Sequence, residues 1–384
     1  FPPNPPSFAP VSFEQSVEGL ARMREFNLSS RAFVHEKFEN DFVRAAILGW
    51  ALAPQIFPDT ECAGQSFYIL IPGIHTYGSA IPRGGSQMMP NALARLIEAH
   101  GGRVMAGSAV DQFIVEKGEC RGIRLVDGTE MLAKRAVVTG LGPKVSFLDC
   151  CDSNELPPDF VDACRRFSYG RVSICRAHFA LNEAPVWTNG EEMTACGFQR
   201  IFHSVADIDR QYGEIVAGVA PTRPFLWVAC WTTIDASRAP SGKHTLIVDT
   251  FVPSVLRSGE SWDAIKESYT HDVMLPILRR HTENMHADNI LGAYYDTGVS
   301  LEAANPCFVD GNTTGGERTL SQMGYFRPLP GYSQYKSPLK NLYMTGPSCH
   351  PGGGITAMGT ITARVILDEL GVLSGDDTFS FLED

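Results

Sequence analysis

One stretch near the end of the chain, NLYMTGPSCHPGGGITAMGTITARVI, constrains the fold most, because it joins a strand to a helix through a glycine-rich turn. Asn341 to Thr345 is a short apolar strand, and Ile355 to Leu370 has apolar residues at helical spacing, with Gly371 as a stop. Glycines let a ligand approach the backbone closely, and the positive end of a helix dipole favours an anion. The pattern predicts a turn that binds a phosphate or a flat ring, although such turns also serve packing alone.

A second region with clear sequence patterns lies between Pro82 and Gly142. Its patterns predict a turn, a helix and several strands. Its helix begins after Ser86, a good N-cap, and ends at Gly101 and Gly102. The last of its strands is continuously apolar, which is typical of a buried parallel sheet. The strands and the hairpin turn are predicted at Arg103 to Met105, Ala109 to Glu116, Cys120 to Leu125, Asp127-Gly128 (the turn) and Ala136 to Thr139.

The rest of the chain is less regular. Arg31 to Leu52 has helical spacing and is either core or the lining of an apolar channel. The segment from Lys144 to Pro330 has irregular strand patterns and many aromatic residues. A helix is predicted within it over Ser261 to Arg280. The proline-rich start, FPPNPPSFAP, indicates an extended lead-in or linker.

Composition excludes several classes of function. The 384 residues carry a net charge of −11, which argues against nucleic acid as a main partner. Ten cysteines without a CxxC pair indicate a reducing, cytoplasmic compartment.

His281 and His286 have the wrong spacing for a zinc-binding helix face, so no metal site is predicted. We find neither a signal peptide nor an apolar run of about 20 residues, the length of a membrane span. Association with a membrane surface is not indicated.

Three segments in this order resemble the FAD-dependent phytoene desaturase-like oxidoreductases: IPRGGSQMMPNALARLIEAHGG, RGIRLVDGTEMLAKRAVVTG and the glycine-rich stretch above. That group includes carotenoid desaturases and isomerases, retinol saturase-like proteins and pyridine nucleotide-disulfide oxidoreductase domain-containing proteins. The similarity extends from about Arg31 to Leu370. It implies an α/β (α+β) fold, in which the C-terminal two-thirds of a Rossmann-like FAD-binding domain is interrupted by a mixed-sheet substrate domain.

The resemblance also implies a division of the chain. Residues 82–145 and 336–384 would belong to the FAD domain, and residues 1–81 (a helical part) and 146–335 would belong to the substrate domain. The implied FAD contacts run from the adenine and ribose, through the pyrophosphate, to the flavin ring. In that order they are Val110; Val138, Thr139 and Gly140; and Gly346, Pro351, Gly352, Gly353 and Gly354.

Four more residues are candidates near the flavin ring. The main-chain amides of Ile355 and Thr356, at the helix start, are predicted to stabilise negative charge on the reduced ring. His350 is a candidate catalytic base, or it only shapes the turn with Pro351. Arg327 in FRPLPGY is a candidate catalytic residue that faces flavin or substrate, or it pairs with a carboxylate in an ordinary core.

The sequence departs from this family in one respect, because it contains no GxGxxG fingerprint with an acidic residue about 20 positions further on. That segment, of roughly 100–150 residues in a typical domain, supplies the first strand and the pyrophosphate-binding helix. A parallel sheet without its central strand exposes apolar edges. We therefore expect a second polypeptide to supply the segment; a truncated or incompletely described chain and a rebuilt, flavin-free protein are the alternatives.

The predicted function is an FAD-dependent oxidoreductase that acts on an apolar or ring-containing substrate by hydride transfer to or from flavin N5. The alternatives are a non-catalytic ligand-binding scaffold and a redox-neutral flavin-dependent isomerase. Aromatic residues of the middle section are candidates for lining the substrate pocket, although most such residues are core. They are Phe167, Tyr169, Phe179, Trp187, Phe225, Trp227 and Trp231.

Overall fold

The computed structural model describes residues 16–61, 65–202, 204–354 and 357–372. The chain divides into two compact units, the first formed by residues 1–21, 106–170 and 313–384 and the second by residues 22–105 and 171–312. The domain boundaries expected from the sequence fall elsewhere, so that assignment stays a prediction. The proline-rich start, and Ile355 and Thr356 of the candidate site, lie outside the described residues.

The described residues form α-helices and β-strands as follows. The strands are β1 Val110–Glu116, β2 Glu119–Leu125, β3 Glu130–Leu132, β4 Val137–Thr139, β5 Val172–Leu181, β6 Phe198–Ile201, β7 Leu226–Ala229, β8 His244–Pro253, β9 Ile290–Thr297 and β10 Leu342–Met344. The helices are α1 Val17–Asn27, α2 Ser30–Lys37, α3 Asp41–Ala51, α4 Ile71–Tyr77, α5 Met88–Ala99, α6 Pro158–Arg166, α7 Glu191–Ala195, α8 Val205–Val216, α9 Trp262–Tyr269, α10 Leu275–Arg279, α11 Gly298–Ala304 and α12 Met358–Glu369.

The first unit contains two small sheets. Strands β1, β2 and β3 form an antiparallel sheet in that order, and the predicted turn at Asp127-Gly128 joins β2 to β3. Strands β4 and β10 pair in parallel, which confirms the parallel setting expected of the segment that forms β4. The glycine turn follows β10 directly and leads towards α12, so the strand–turn–helix order is confirmed.

The second unit is built on a five-stranded antiparallel sheet in the order β6-β7-β8-β5-β9. Successive side chains of a strand point to opposite faces, and β5 shows this alternation. Cys175, Ala177 and Phe179 pack into an apolar core on one face. Val172 and Ile174 pack on the other face, against apolar residues of α3 and α8. Both faces of the sheet are therefore covered over part of their area.

Three sequence expectations differ from the structure. Arg31 to Leu52 forms two helices, because Asn40 Oδ1 accepts hydrogen bonds from the main-chain nitrogens of Phe42 and Val43 and so caps the start of α3. The helix over Ser261 to Arg280 starts as predicted but widens over Thr270–Met274. Pro276 explains the widening, because in an uninterrupted α-helix its ring would clash with the carbonyl four residues before it. Arg103 to Met105 forms no strand and pairs with no described strand.

Candidate functional site

The carboxyl ends of β4 and β10 place two glycine-containing turns side by side. Thr345 N donates to Thr139 O at 2.8 Å, which continues the parallel pairing one step beyond the strands. A Cβ atom on Gly346 would lie 2.9 Å from Gly140 O, so a side chain there would force the turns apart. In open α/β sheets, ligands bind at the carboxyl ends of the parallel strands. Gly140 and Gly346 therefore occupy the position expected of a ligand-binding edge.

The first of these turns is held by Thr139. Its buried Oγ1 lies 2.8 Å from Ser146 Oγ and accepts a hydrogen bond from Leu141 N at 3.3 Å. Neighbouring Val138 is 46% exposed. Val110 begins β1 and so belongs to a different sheet from these residues. The structure brings Thr139, Gly140 and Gly346 together, and the FAD contact of Val110 stays a prediction.

The glycine turn contains three glycines with left-handed backbone conformation, and they differ in their surroundings. Gly352, Gly353 and Gly354 have φ values of 82°, 57° and 67°. A Cβ on Gly352 would lie 2.6 Å from Arg327 Nε, and one on Gly353 would collide with Arg318. A Cβ on Gly354 would meet nothing within 4 Å. The first two glycines thus make room for arginines, whereas Gly354 presents its backbone to open space.

Arg327 is fully buried and fastens the loops around this turn. Its Nη1 donates to the main-chain oxygens of Glu317 and Gln322 at 3.3 and 3.4 Å, and its Nη2 donates to those of Thr314 and Pro347 at 3.1 and 2.8 Å. Among the described residues no carboxylate pairs with it, so these contacts do not support the sequence alternative of a carboxylate partner. The geometry is that of a positioning residue, and a catalytic role stays a prediction.

Arg318 adds a second guanidinium beside the same turn. Its Nη2 donates to Gly352 O at 2.9 Å. Burial and the neighbouring charge of Arg318 lower the pKa of Arg327 to about 9, and burial lowers the pKa of Arg318. Arg327 is still mostly protonated at neutral pH. Main-chain carbonyls accept hydrogen bonds from both guanidinium groups, and the two positive charges create a potential at the turn that favours an anion.

Two further described side chains near the turn, His350 and Cys349, are not activated. Burial lowers the pKa of His350, so its imidazole is neutral at pH 7. Its main-chain oxygen accepts a hydrogen bond from Tyr335, whose side chain is fully buried. Burial raises the pKa of the Cys349 thiol to about 12, which leaves it protonated. These contacts fit a residue pair that shapes the turn, and a catalytic role for His350 stays a prediction.

The sequence reasoning missed Arg318 and Tyr335. The only signal for Arg318 was its place in TGGERT, a glycine pair that precedes two charged residues. Of the seven aromatic pocket candidates, five are buried in cores, namely Phe167, Tyr169, Phe179, Trp187 and Phe225. Trp227 and Trp231 are half-buried in the second unit.

Within the part of the chain that is described, no three His, Cys, Asp or Glu side chains are grouped as a metal site. The same residues include no helix that is both long enough and apolar enough to span a bilayer.

Comparison with known proteins decides the family. Residues 12–361 match the sequence profile of the flavin containing amine oxidoreductases. The chain belongs to this family. The resemblance to phytoene desaturase-like proteins, the Rossmann-like α/β fold, the FAD cofactor and the class of flavin-dependent oxidoreductase are thereby confirmed at the level of the family.

Three relatives show which proteins this chain is similar to. Pyridine nucleotide-disulfide oxidoreductase domain-containing protein 2 of Rattus norvegicus is 24% identical over 75% of this chain and 51% of that protein. One of the limonene dehydrogenase subunits of Castellaniella defragrans is 24% identical, over 77% of this chain and 56% of that protein. The neurosporene-forming phytoene desaturase of Rhodobacter capsulatus is 24% identical, over 79% of this chain and 56% of that protein. The chain thus spans slightly more than half the length of these relatives.

The crystal structure of an oxidoreductase from Methanosarcina mazei superposes on this chain with a TM-score of 0.54 at 14% identity. The match covers 95% of this chain and 74% of that one. It supports the shared fold.

The turn fits the flavin that the family implies. Gly354 leaves room for close approach, and the guanidinium groups of Arg318 and Arg327 supply positive charge beside it. A flavin ring becomes more negative on reduction, so these are suitable surroundings for its pyrimidine end.

Proposed function

We propose that this chain forms the flavin-ring end of an FAD-dependent oxidoreductase of the dehydrogenase or desaturase type, acting on an apolar or ring-containing organic substrate. When bound, the flavin supplies hydride transfer to or from its N5 atom. The observation that carries the proposal is the open backbone of Gly354 beside the guanidinium groups of Arg318 and Arg327, at the carboxyl ends of β4 and β10. The names of two relatives support the substrate class, since limonene and phytoene are apolar hydrocarbons.

Each described residue of the turn has a physical task in this proposal. Gly354 lets the ring approach the backbone, and Arg327 holds the surrounding loops in place through their carbonyl oxygens. Arg318 and Arg327 together favour the form of the ring with more negative charge. Neutral His350 adds no further charge to theirs. The amides of Ile355 and Thr356 remain predicted contributors.

A visible absorption spectrum tests the flavin. We expect the purified full-length protein, with any polypeptide that copurifies, to be yellow or to bind added FAD and then show the bands of an oxidised flavin. Anaerobic addition of an apolar substrate should bleach these bands, because a dehydrogenase leaves the flavin reduced. Turnover without bleaching would indicate the isomerase instead. A colourless protein that cannot be reconstituted with FAD would overturn the proposal.

We further propose that a second polypeptide supplies the GxGxxG segment. Two exposed surfaces support this. Parallel sheets are normally covered on both faces, yet β4 and β10 form a two-stranded parallel sheet among the described residues in which Val138 is 46% exposed. In the second unit, α5 has no buried residue and exposes the apolar side chains of Leu93, Leu96 and Ile97.

We propose the cytoplasm as the location of both chains, since the cysteine usage is that of a reducing compartment.

Replacing Leu93 by glutamate tests the surface of α5. Leu93 is 56% exposed, so the change should leave the free energy of unfolding within about 0.5 kcal/mol of the wild-type value. If a partner covers the helix, association should weaken about tenfold or more, because a charge is then buried in an apolar interface. Copurification and the affinity of the two chains are measured.

The control for this prediction is Arg95→Gln, which makes the same change in net charge on the polar side of α5 and should leave association unchanged. Two results would contradict the second chain. One is equal association of both variants and the wild type. The other is an intact mass analysis that finds a single stable polypeptide that binds FAD alone.

A further inference from the structure

A row of residues crosses all five strands of the second unit's sheet on one face. The strand registers place them opposite one another in the order Arg200 on β6, Trp227 on β7, Asp249 on β8, Arg176 on β5 and Asp296 on β9. Asp249 accepts two hydrogen bonds of 2.6 Å from Arg176, so these two charges neutralise each other. Trp227 separates Arg200 from Asp249. The charge of Arg200, on the edge strand, is left without a counter-charge from this row.

Aromatic rings surround Arg200 instead of carboxylates. Its guanidinium carbon lies 3.3 Å from the centroid of the Trp50 ring, 4.7 Å from that of Trp227 and 5.2 Å from that of Phe198. Trp231 stacks on Phe198, with centroids 5.9 Å apart. All four rings are half-buried. Cation–π attraction accounts for the position of the guanidinium, but a ring supplies no hydrogen-bond acceptor.

The polar atoms of this cluster are unsatisfied. Nε and Nη1 of Arg200 and Nε1 of Trp227 are enclosed and have no hydrogen-bond partner among the described residues. Burial also lowers the pKa of Arg200 to about 9. Burying donors without acceptors is unfavourable, and native structures contain few such groups. The guanidinium therefore carries a charge that no described residue compensates, which makes the cluster a candidate site for an anionic ligand.

We propose that Arg200, Trp50, Phe198 and Trp227 bind a carboxylate carried on an apolar body. This binding site lies within the second unit, and the inference holds whether or not the bound molecule is the substrate of the proposed reaction. The half-buried rings provide an apolar surface for the body of the molecule, and the guanidinium provides the charge.

The number and sign of the charges select the ligand class. One guanidinium balances the single charge of a carboxylate, whereas a phosphate monoester carries about −1.5 to −2 at neutral pH and would need a second cation. A protonated amine would be repelled by Arg200, so the site discriminates against an ammonium end group. The guanidinium carbon lies 3.3 Å from the centroid of the Trp50 ring, and Nη2 is not among the enclosed nitrogens that lack a partner. We therefore assign Nη2 as the donor to the ligand.

Tryptophan fluorescence offers a direct measurement, because three of the five tryptophans lie in this cluster while Trp187 and Trp262 are buried in a core. The full-length protein is titrated with decanoate, decan-1-ol and decylamine, which share one apolar chain. We expect a saturable change with decanoate, an affinity for decan-1-ol about tenfold lower, and the lowest affinity for decylamine. No flavin turnover is needed, so the result is independent of the test of the proposed function.

Arg200→Met removes the charge and keeps a side chain that packs on Trp50. It should lower the affinity for decanoate about tenfold, to that for decan-1-ol. The melting temperature should change little, because the lost cation–π contacts are offset by the removal of a buried charge without a counter-charge. Arg200→Gln provides the same measurement if the methionine variant does not fold. The control is Arg223→Met, which removes a half-exposed charge paired with Asp207 elsewhere in the same unit and should leave the affinity unchanged.

Two results would overturn the inference. One is equal affinity of the wild type for decanoate and decan-1-ol. The other is unchanged affinity for decanoate in Arg200→Met, which, together with a lower melting temperature, would make Arg200 a structural residue of the aromatic cluster.

Discussion

Replacing Arg327 by methionine is expected to lower the free energy of unfolding by about 3 kcal/mol and to abolish FAD binding. Methionine fills much of the same volume but donates no hydrogen bond. The four main-chain oxygens that now bind the guanidinium, on Thr314, Glu317, Gln322 and Pro347, would lose that partner. Because Pro347 begins the glycine turn, the turn would lose one of its two side-chain attachments to the loop of residues 314–322 and keep the hydrogen bond from Arg318 to Gly352 O. Denaturant unfolding and FAD titration of the full-length protein measure the two effects.

Two variants make the experiment specific. Arg165→Met removes an exposed arginine of α6 that pairs with Asp162, and it should change the free energy of unfolding by less than about 0.5 kcal/mol. Arg327→Lys keeps the charge but not the planar fork, so we expect an intermediate loss of stability. If Arg327→Met is as stable as Arg165→Met and still loses FAD, Arg327 contacts the flavin directly and the catalytic assignment is favoured. If it keeps both stability and FAD, the positioning role is wrong.

Sequence patterns predicted those elements that are determined by residues close together in the chain. The helix at residues 88–99 has an apolar stripe and ends at a glycine pair, and it formed within two residues of the predicted start. The hairpin turn at Asp127-Gly128 was also predicted correctly, and so was the parallel setting of the strand that ends at Thr139, although its partner β10 was not predicted. Where tertiary context decides, the predictions failed. Arg103 to Met105 has a strand-like composition, but a strand forms only against a partner.

The candidate site was predictable in outline and not in detail. The glycines of the turn were visible as glycines, but sequence alone does not show that Gly352 and Gly353 face arginines while Gly354 faces open space. The partners of Arg327 are main-chain carbonyls, which leave no signature in residue type. The aromatic cluster around Arg200 depends on the register of β6 with β7 and on the approach of Trp50 from a distant helix.

Replacing Gly354 by alanine is expected to lower the affinity for FAD about tenfold or more, while lowering the free energy of unfolding by only about 1 kcal/mol. The loss of stability comes from the left-handed backbone, with φ of 67°, since an added Cβ would meet no atom within 4 Å. The loss of affinity comes from a methyl group placed where the flavin ring must approach the backbone. FAD titration and denaturant unfolding of the same samples separate the two.

Gly331→Ala is the matched control, because Gly331 is also exposed in the first unit, has φ of 86°, and would place a Cβ in open space. It should lower the free energy of unfolding by a similar amount, about 1 kcal/mol, and leave FAD affinity unchanged. Gly352→Ala should behave differently from both, since its Cβ would lie 2.6 Å from Arg327 Nε and disturb the buried guanidinium. If Gly354→Ala binds FAD as tightly as Gly331→Ala does, the flavin does not approach this turn, and its glycines serve packing alone.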